Sequence, residues 1–342
     1  MGQEQSAPPP RPRPRTPSPP RLRIPSFSPP PLPPPSSPKE FDQPWRKMPW
    51  GEKDKIEQKL RTFKPKGTSA RFVRILVVGE VGAGKSSFIN SVNNAFQGRI
   101  TSGALVDRTG GTSFTKNYKT HYIEAEDGSS LPFVFNDIMG LENRKSGAKA
   151  EDTESGAKAE DTESGAKAED RESGAKADDI IRAINGLLQE GHNFEACVTD
   201  IKYRSNPSVE EQTTCLVNII AADKISMMNE GVIDKLKKIR QAATKRDMPQ
   251  VIIMTRPDVA CPLVQQDLRK IYTSKKIKKK MEVCSNMVGI PMNNIFPVKN
   301  YHEEIDTDDD MDLLILKALD QIVHNASDLL KENSFKCGEK TE

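Results

Sequence analysis

The chain is poor in the features that would assign it to several large classes. Its 342 residues hold five cysteines (Cys197, Cys215, Cys261, Cys284 and Cys337), scattered, odd in number and without a Cys-x-x-Cys pair. That pattern excludes a zinc ribbon and argues against a disulfide framework, so a reducing compartment is expected. No apolar run approaches the roughly 20 residues needed to span a bilayer. The amino terminus is proline and arginine without an apolar centre, which is not the pattern of a secretory signal. A cytoplasmic chain is the expectation. Charge of one sign is lacking too: Lys+Arg 51 against Asp+Glu 48 leaves a formal charge of +3, too balanced to imply a nucleic-acid partner. Hydrophobic residues make up only 35%, so part of the chain is expected to lie outside any packed core.

The shortage is uneven. Residues 1–40 are mostly Pro, Ser and Arg and read as an extended, disordered tail. Met1-Gly2-Gln3-Glu4-Gln5-Ser6 fits the Met-Gly-x-x-x-Ser/Thr pattern for myristoylation at Gly2. Arg11, Arg13, Arg15, Arg21 and Arg23 follow with no acid among them. An acyl chain plus such a basic stretch can hold a protein on an anionic membrane surface. The run from Arg11 to Pro17 also fits Arg/Lys-x-x-Pro-x-x-Pro, a polyproline II ligand of SH3 domains. A plain solvated tail is the alternative to both readings.

Residues 41–70 form a lead-in. Trp45 and Trp50 flank a proline-containing turn, and Glu52–Phe63 reads as a helix with Ile56, Leu60 and Phe63 on one face, expected to dock on the main domain. Residues 71–335 then alternate strands with helices. The strands are read at 71–78, 119–125, 131–136, 215–222, 251–254 and 294–298. The helices are read at 86–96, 232–244 and 312–330. The fold class expected is α/β, a mostly parallel sheet with helices on both faces and ligands at the carboxyl ends of the strands. Residues 144–178 interrupt it with a nine-residue repeat, Ser-Gly-Ala-Lys-Ala-Glu-Asp-x-Glu. An apolar stripe would change face at every repeat, and alanine is all there is to bury, so a disordered insertion is expected. The run Lys275–Lys280 reads as a solvated helix face, with an anionic surface contact as the alternative.

The chemistry concentrates at strand ends. Gly79-Glu80-Val81-Gly82-Ala83-Gly84-Lys85-Ser86 fits Gly-x4-Gly-Lys-Ser/Thr, between an apolar strand and a helix. Glycines there let backbone N–H groups curl around an anion, and the helix start adds positive potential. Gly79, Gly82, Ala83, Gly84, Lys85, Ser86 and Ser87 are therefore nucleotide-binding candidates, with Lys85 on the β/γ-phosphates and Ser86 on Mg2+. Asp137-Ile138-Met139-Gly140 follows another apolar strand. Asp137 is placed to hold Mg2+ through water, and Gly140 to sense a γ-phosphate with its N–H. Thr255-Arg256-Pro257-Asp258 ends a third strand, where GTP-binding proteins carry Asn/Thr-Lys-x-Asp. Asp258 could accept from guanine N1–H and the 2-amino group, which favours GTP or GDP over adenine nucleotides. Arg256 could cover a purine face. A proline-shaped turn is the alternative. Val298-Lys299-Asn300 lies where a base-contacting loop belongs. In the Gly/Thr-rich loop Thr101–Thr115, Thr112 and Thr115 are the candidate Mg2+ ligands, Thr112 preferred.

The residue after Asp-x-x-Gly is Leu141, where Ras-type proteins orient the attacking water with glutamine. Binding is therefore the firmer expectation, with hydrolysis slow or assisted. With these residues in place the chain resembles the interferon-induced protein 44 family of G-domain proteins. The resemblance is carried by Pro44-Trp45-Arg46, Val73–Asn94, Leu131–Leu141 and Asp312–Leu319, and spans roughly residues 41–335 apart from the repeats. It implies a cytosolic GTP-binding protein linked to interferon and antiviral responses. It also implies that Gly82, Gly84, Lys85 and Ser86 touch phosphate and Mg2+ and that Asp137 and Gly140 sense the γ-phosphate. The Pro/Arg-rich tail and the repeats depart from the family pattern. The competing reading is a non-hydrolysing, nucleotide-bound adaptor that recruits SH3 proteins or membrane through the tail.

Overall fold

Alternate residues of the central strands bury on opposite sides of one sheet. On β1 (Val73–Gly79), Val73, Ile75 and Val77 join one core while Leu76 and Val78 join the other. The strands β4 (Cys215–Ala221) and β5 (Gln250–Thr255) divide in the same way, Val217 and Val251 to the first core, Leu216 and Ile252 to the second. Strands buried on both faces are what continuous Val/Ile/Leu runs produce when helices cover the sheet twice. The computed structural model describes residues 39–66, 68, 70–101, 115–142, 174–195 and 203–338. The expectations for Gly2, for Arg11–Pro17, for Thr112 and for the repeats up to residue 173 lie outside them.

The sheet has the order β2-β3-β1-β4-β5-β6, with β2 at Lys119–Glu124, β3 at Ser130–Asp137 and β6 at Ile295–Val298. Every neighbouring pair is parallel except β2 with β3, which are antiparallel. This is the strand order of a P-loop G domain: β1 sits between β3 and β4, so its carboxyl end is flanked by theirs, with β5 one strand further on. On one face lie α1 (Lys53–Arg61), α2 (Lys85–Gln97) and α8 (Asp309–Gly338). On the other lie α3 (Ala177–Ile184), α4 (Glu230–Thr244) and α7 (Lys275–Val288), and two short helices, α5 (Pro257–Ala260) and α6 (Pro262–Gln266), follow β5. Phe88 of α2 is fully buried edge-on to Phe135 at 6.1 Å between ring centroids. Burying a side chain of that size contributes roughly 1.5–3 kcal/mol.

The lead-in docks by named contacts. Arg46 donates to the carbonyls of Met292 and Ile295 at 2.7 and 2.8 Å, and its guanidinium lies over the rings of Trp45, Tyr272 and Phe296. Ile56 and Leu60 of α1 enter the core shared with α8. One boundary shifts from the sequence expectation. Residues 174–178, assigned to the insertion, are packed: Ala175 and Ala177 are buried, and α3 begins at Ala177. The last repeat unit runs directly into Ile180 and Ile184, whose burial draws the alanines before them onto the sheet. Ile277 and Met281 of α7 face the core, which leaves the Lys275–Lys280 lysines on its outer side.

Candidate nucleotide site

The glycine loop closes β1 onto α2. Gly82 and Gly84 have φ of 71° and 95°. At Gly84 the left-handed backbone would strain any side chain, and a Cβ would stand 3.1 Å from Asn300 Nδ2. Two side chains from neighbouring strand ends hold the loop in shape. Thr255 Oγ1 donates to Ala83 O at 2.7 Å, and Asn300 Nδ2 donates to Gly84 O at 3.2 Å. Lys85 is buried, its Nζ 3.3 Å from both Gly79 O and Glu80 O. The ammonium thus lies curled against the carbonyls that open the loop.

Beside the start of α2 the hydroxyl and carboxylate predicted to share a metal do meet. Ser86 Oγ donates to Asp137 Oδ2 at 2.8 Å, and Thr115 Oγ1 donates to the same oxygen at 3.4 Å. Asp137 is 2% exposed, and its Oδ1 is buried with no hydrogen-bond partner among the described residues. A buried carboxylate oxygen left unpaired is costly unless a cation or water completes it. A hydroxyl–carboxylate donor set suits a hard cation such as Mg2+. Of the two candidate threonines, Thr115 stands at Asp137.

Next to the loop is a cavity of about 380 Å³ lined by Gly82, Gly84, Ser87, Arg256, Asp258, Val259 and residues 299–304. Arg256 adopts the left-handed region at φ 57°, which turns β5 straight into α5 with Pro257 in its first turn. Its guanidinium pairs with Asp223 at 3.4 Å. Thr255 is fully buried and spends its hydroxyl on Ala83, so its part is to hold the loop rather than to line the cavity. In the facing loop, burial pushes the Glu304 carboxyl up. Hydrogen bonds from Lys299 and the His302 N–H outweigh this and hold it down at about 2.

The segment after Asp137 is laced to the loop. Leu141 N–H donates to Gly79 O at 2.9 Å and Val81 N–H to Leu141 O at 3.3 Å. Gly140 lies against Val81, whose Cγ2 would stand 2.5 Å from a Cβ at position 140. Leu141 is fully buried among core residues. The insertion leaves and returns at this point: Ala175 N–H donates to Gly140 O at 3.1 Å, and a Cβ on Gly174 would meet Glu142 N at 2.7 Å. Adjacent ends let a long insertion be accommodated with little change to the packed segments on either side.

No protein-family model matches the chain. Curated relatives do. Interferon-induced protein 44 of Homo sapiens is 30% identical over 283 residues, 81% of this chain and 57% of that protein. The Mus musculus protein of the same name is 28% identical over 80% of this chain and 60% of its own length. Interferon-induced protein 44-like of Homo sapiens is 26% identical over 80% of this chain and 56% of its length. The chain is thus similar to interferon-induced protein 44 over about four fifths of its own length. It spans less than two thirds of the length of these relatives.

Solved structures of Toc33 from Arabidopsis thaliana, one with GDP and Mg2+ and one with Mg2+ and GMPPNP, align at 13% identity with TM-scores of 0.38 and 0.40. They cover 75% and 81% of this chain and 85% and 91% of those chains. Values that low add nothing to the strand order and the glycine loop, which define the fold by themselves. Pro44-Trp45-Arg46, one of the stretches that carry the resemblance, is a docking element, since Arg46 ties the lead-in to β6 and the turn before it. Sequence reasoning missed Asp223. The available signal was a polar residue just past the carboxyl end of an apolar strand, the edge where α/β sheets place ligands.

Proposed function

We propose that the chain binds a guanine nucleotide with Mg2+ at the Gly79–Ser86 loop and hydrolyses GTP slowly or only with assistance, in the interferon response. The observation that carries this reading is the Ser86–Asp137 pair at 2.8 Å beside the glycine loop, with the buried Asp137 Oδ1 unpaired. Ser86 would hold Mg2+ directly and Asp137 through water. Bound there, the ion neutralises phosphate charge. Lys85 and the N–H groups of the loop take the phosphate oxygens, and Asp258, half-buried in the adjoining cavity, accepts from the guanine edge. Asp258→Asn tests the base assignment. The variant is expected to lose its preference for GTP over xanthosine triphosphate in competition titrations. An unchanged preference would remove Asp258 from base recognition.

The position after Asp-x-x-Gly supports slow turnover. Leu141 is buried and its backbone is bonded to Gly79, so restoring glutamine there does not place an amide beside the phosphates. Leu141→Gln is expected to leave single-turnover phosphate release unchanged and to lower stability by about 1–3 kcal/mol through a buried polar group. Faster release would show that this segment swings outward when nucleotide binds.

The same burial favours the second reading, a nucleotide-bound adaptor whose tail recruits SH3 domains through Arg11–Pro17 or a membrane through Gly2 and the arginines. Among the described residues no helix is long and apolar enough to cross a membrane. A cytoplasmic location, with membrane association through the tail, and a role in antiviral defence are part of the proposal and rest on the sequence and on the resemblance to interferon-induced protein 44.

A further inference from the structure

Lys224 stands over the phosphate loop without a part in the reading above. It follows β4 in a turn whose backbone is tied down on both sides. Ala222 N–H donates to Thr255 O at 2.8 Å, Lys224 N–H to Ala221 O at 3.1 Å, and Met227 N–H to Lys224 O at 2.9 Å. Its neighbour Asp223 is paired with Arg256 at 3.4 Å. The base of the Lys224 side chain is thus anchored to the end of β5. At its far end, Nζ comes within 3.9 Å of the place a Cβ on Gly82 would occupy. Gly82 lies at the crown of the loop and lines the cavity beside it.

The charge of Lys224 is poorly compensated. Among the described residues its ammonium makes no hydrogen bond and no ion pair within 4 Å. The acid it influences is Glu80, whose carboxyl is pushed up by burial against the lowering pull of Lys224 and Lys85. Lys85 lies against the carbonyls of Gly79 and Glu80, and Lys224 lies at Gly82. Two ammonium groups therefore reach different parts of one short loop whose N–H groups converge on an anion. A half-buried cation that makes no hydrogen bond or ion pair among the described residues at such a place is suited to a phosphate oxygen, which would supply a charge-assisted hydrogen bond.

We infer that Lys224 is a second phosphate-binding cation, supplied within the chain by the turn after β4, which holds the nucleotide together with Lys85. The inference rests on the nucleotide reading above. Its test is titration of the full-length protein with fluorescent GDP and a non-hydrolysable GTP analogue in Mg2+. Wild type, Lys224→Ala, Lys224→Arg, Lys85→Ala and the exposed-helix control Lys237→Ala are compared, with nucleotide-free thermal melts of each. Lys224→Ala is expected to weaken binding about tenfold or more, the size of one hydrogen bond to a charged group. Lys224→Arg should keep most of the affinity and Lys237→Ala all of it, with melts unchanged. Wild-type affinity in Lys224→Ala, alongside loss in Lys85→Ala, would overturn the role of Lys224 and leave the nucleotide site standing. A lowered nucleotide-free melting temperature shared by Lys224→Ala and Lys224→Arg would assign the residue to structure instead. If wild type binds neither nucleotide, the site reading fails and Lys224 falls with it.

Discussion

Lys85→Ala is expected to weaken guanine-nucleotide binding by about 100-fold or more, equivalent to roughly 2.7 kcal/mol, while the fold survives. The argument is local. Lys85 is buried at the start of α2, and its ammonium lies 3.3 Å from two carbonyls of its own loop. Phosphate oxygens offer that ammonium far stronger charge-assisted bonds than neutral carbonyls do. The loop itself is shaped by Thr255 and Asn300, so removing the lysine does not release it. Titration with fluorescent GTP and GDP reads the loss, and far-UV circular dichroism reads the fold. Retained affinity would show that the glycine loop does not bind the phosphates.

The largest effect on stability is expected from Asp312→Ala, a loss of about 3 kcal/mol in denaturant unfolding of the full chain. Asp312 is fully buried in the first turn of α8. Its Oδ1 accepts from Tyr301 Oη at 2.7 Å, and its Oδ2 lies 2.9 Å from Lys53 Nζ of α1. Burial pushes the carboxyl up, while Tyr301 and Lys53 pull it down. Deleting it leaves the half-buried Lys53 ammonium with the exposed Asp309 as its one remaining acid partner among the described residues. It also removes the link between the lead-in helix and the loop that carries Tyr301 past the cavity beside the glycine loop. The expected signature is therefore double: a lower unfolding midpoint, and easier proteolysis of the segment before β1. A change below about 0.5 kcal/mol would mean that the cluster is better solvated than its burial implies.

Much of this architecture is legible in one dimension. Strands β1, β4 and β5 declare themselves because residues buried on both faces must be apolar in an unbroken run. The glycine loop declares itself because only that spacing serves a strand, an anion and a helix start together. Ser86 and Asp137 were named from motif and position, and the fold brings them to 2.8 Å. The segment from Pro257 to Tyr272 was not read as helical. Its turns are short and broken by Pro257 and Pro262, too brief for a helical period to emerge. The start of α3 was hidden for another reason. Ala175 and Ala177 repeat the composition of the insertion, and only the isoleucines after them bury them.

The sequence by itself determined the central strands, the loop and the chemistry offered at the strand ends, because each depends on residues close together in the chain. Tertiary structure alone decided which distant groups meet. Thr255 became a brace for Ala83, Asn300 a brace for Gly84, and Leu141 a buried partner of the loop rather than an exposed residue. Lys224 reached Gly82 only because β4 lies beside β1 in the sheet. Such contacts are set by strand order and register, which no local pattern of residues encodes.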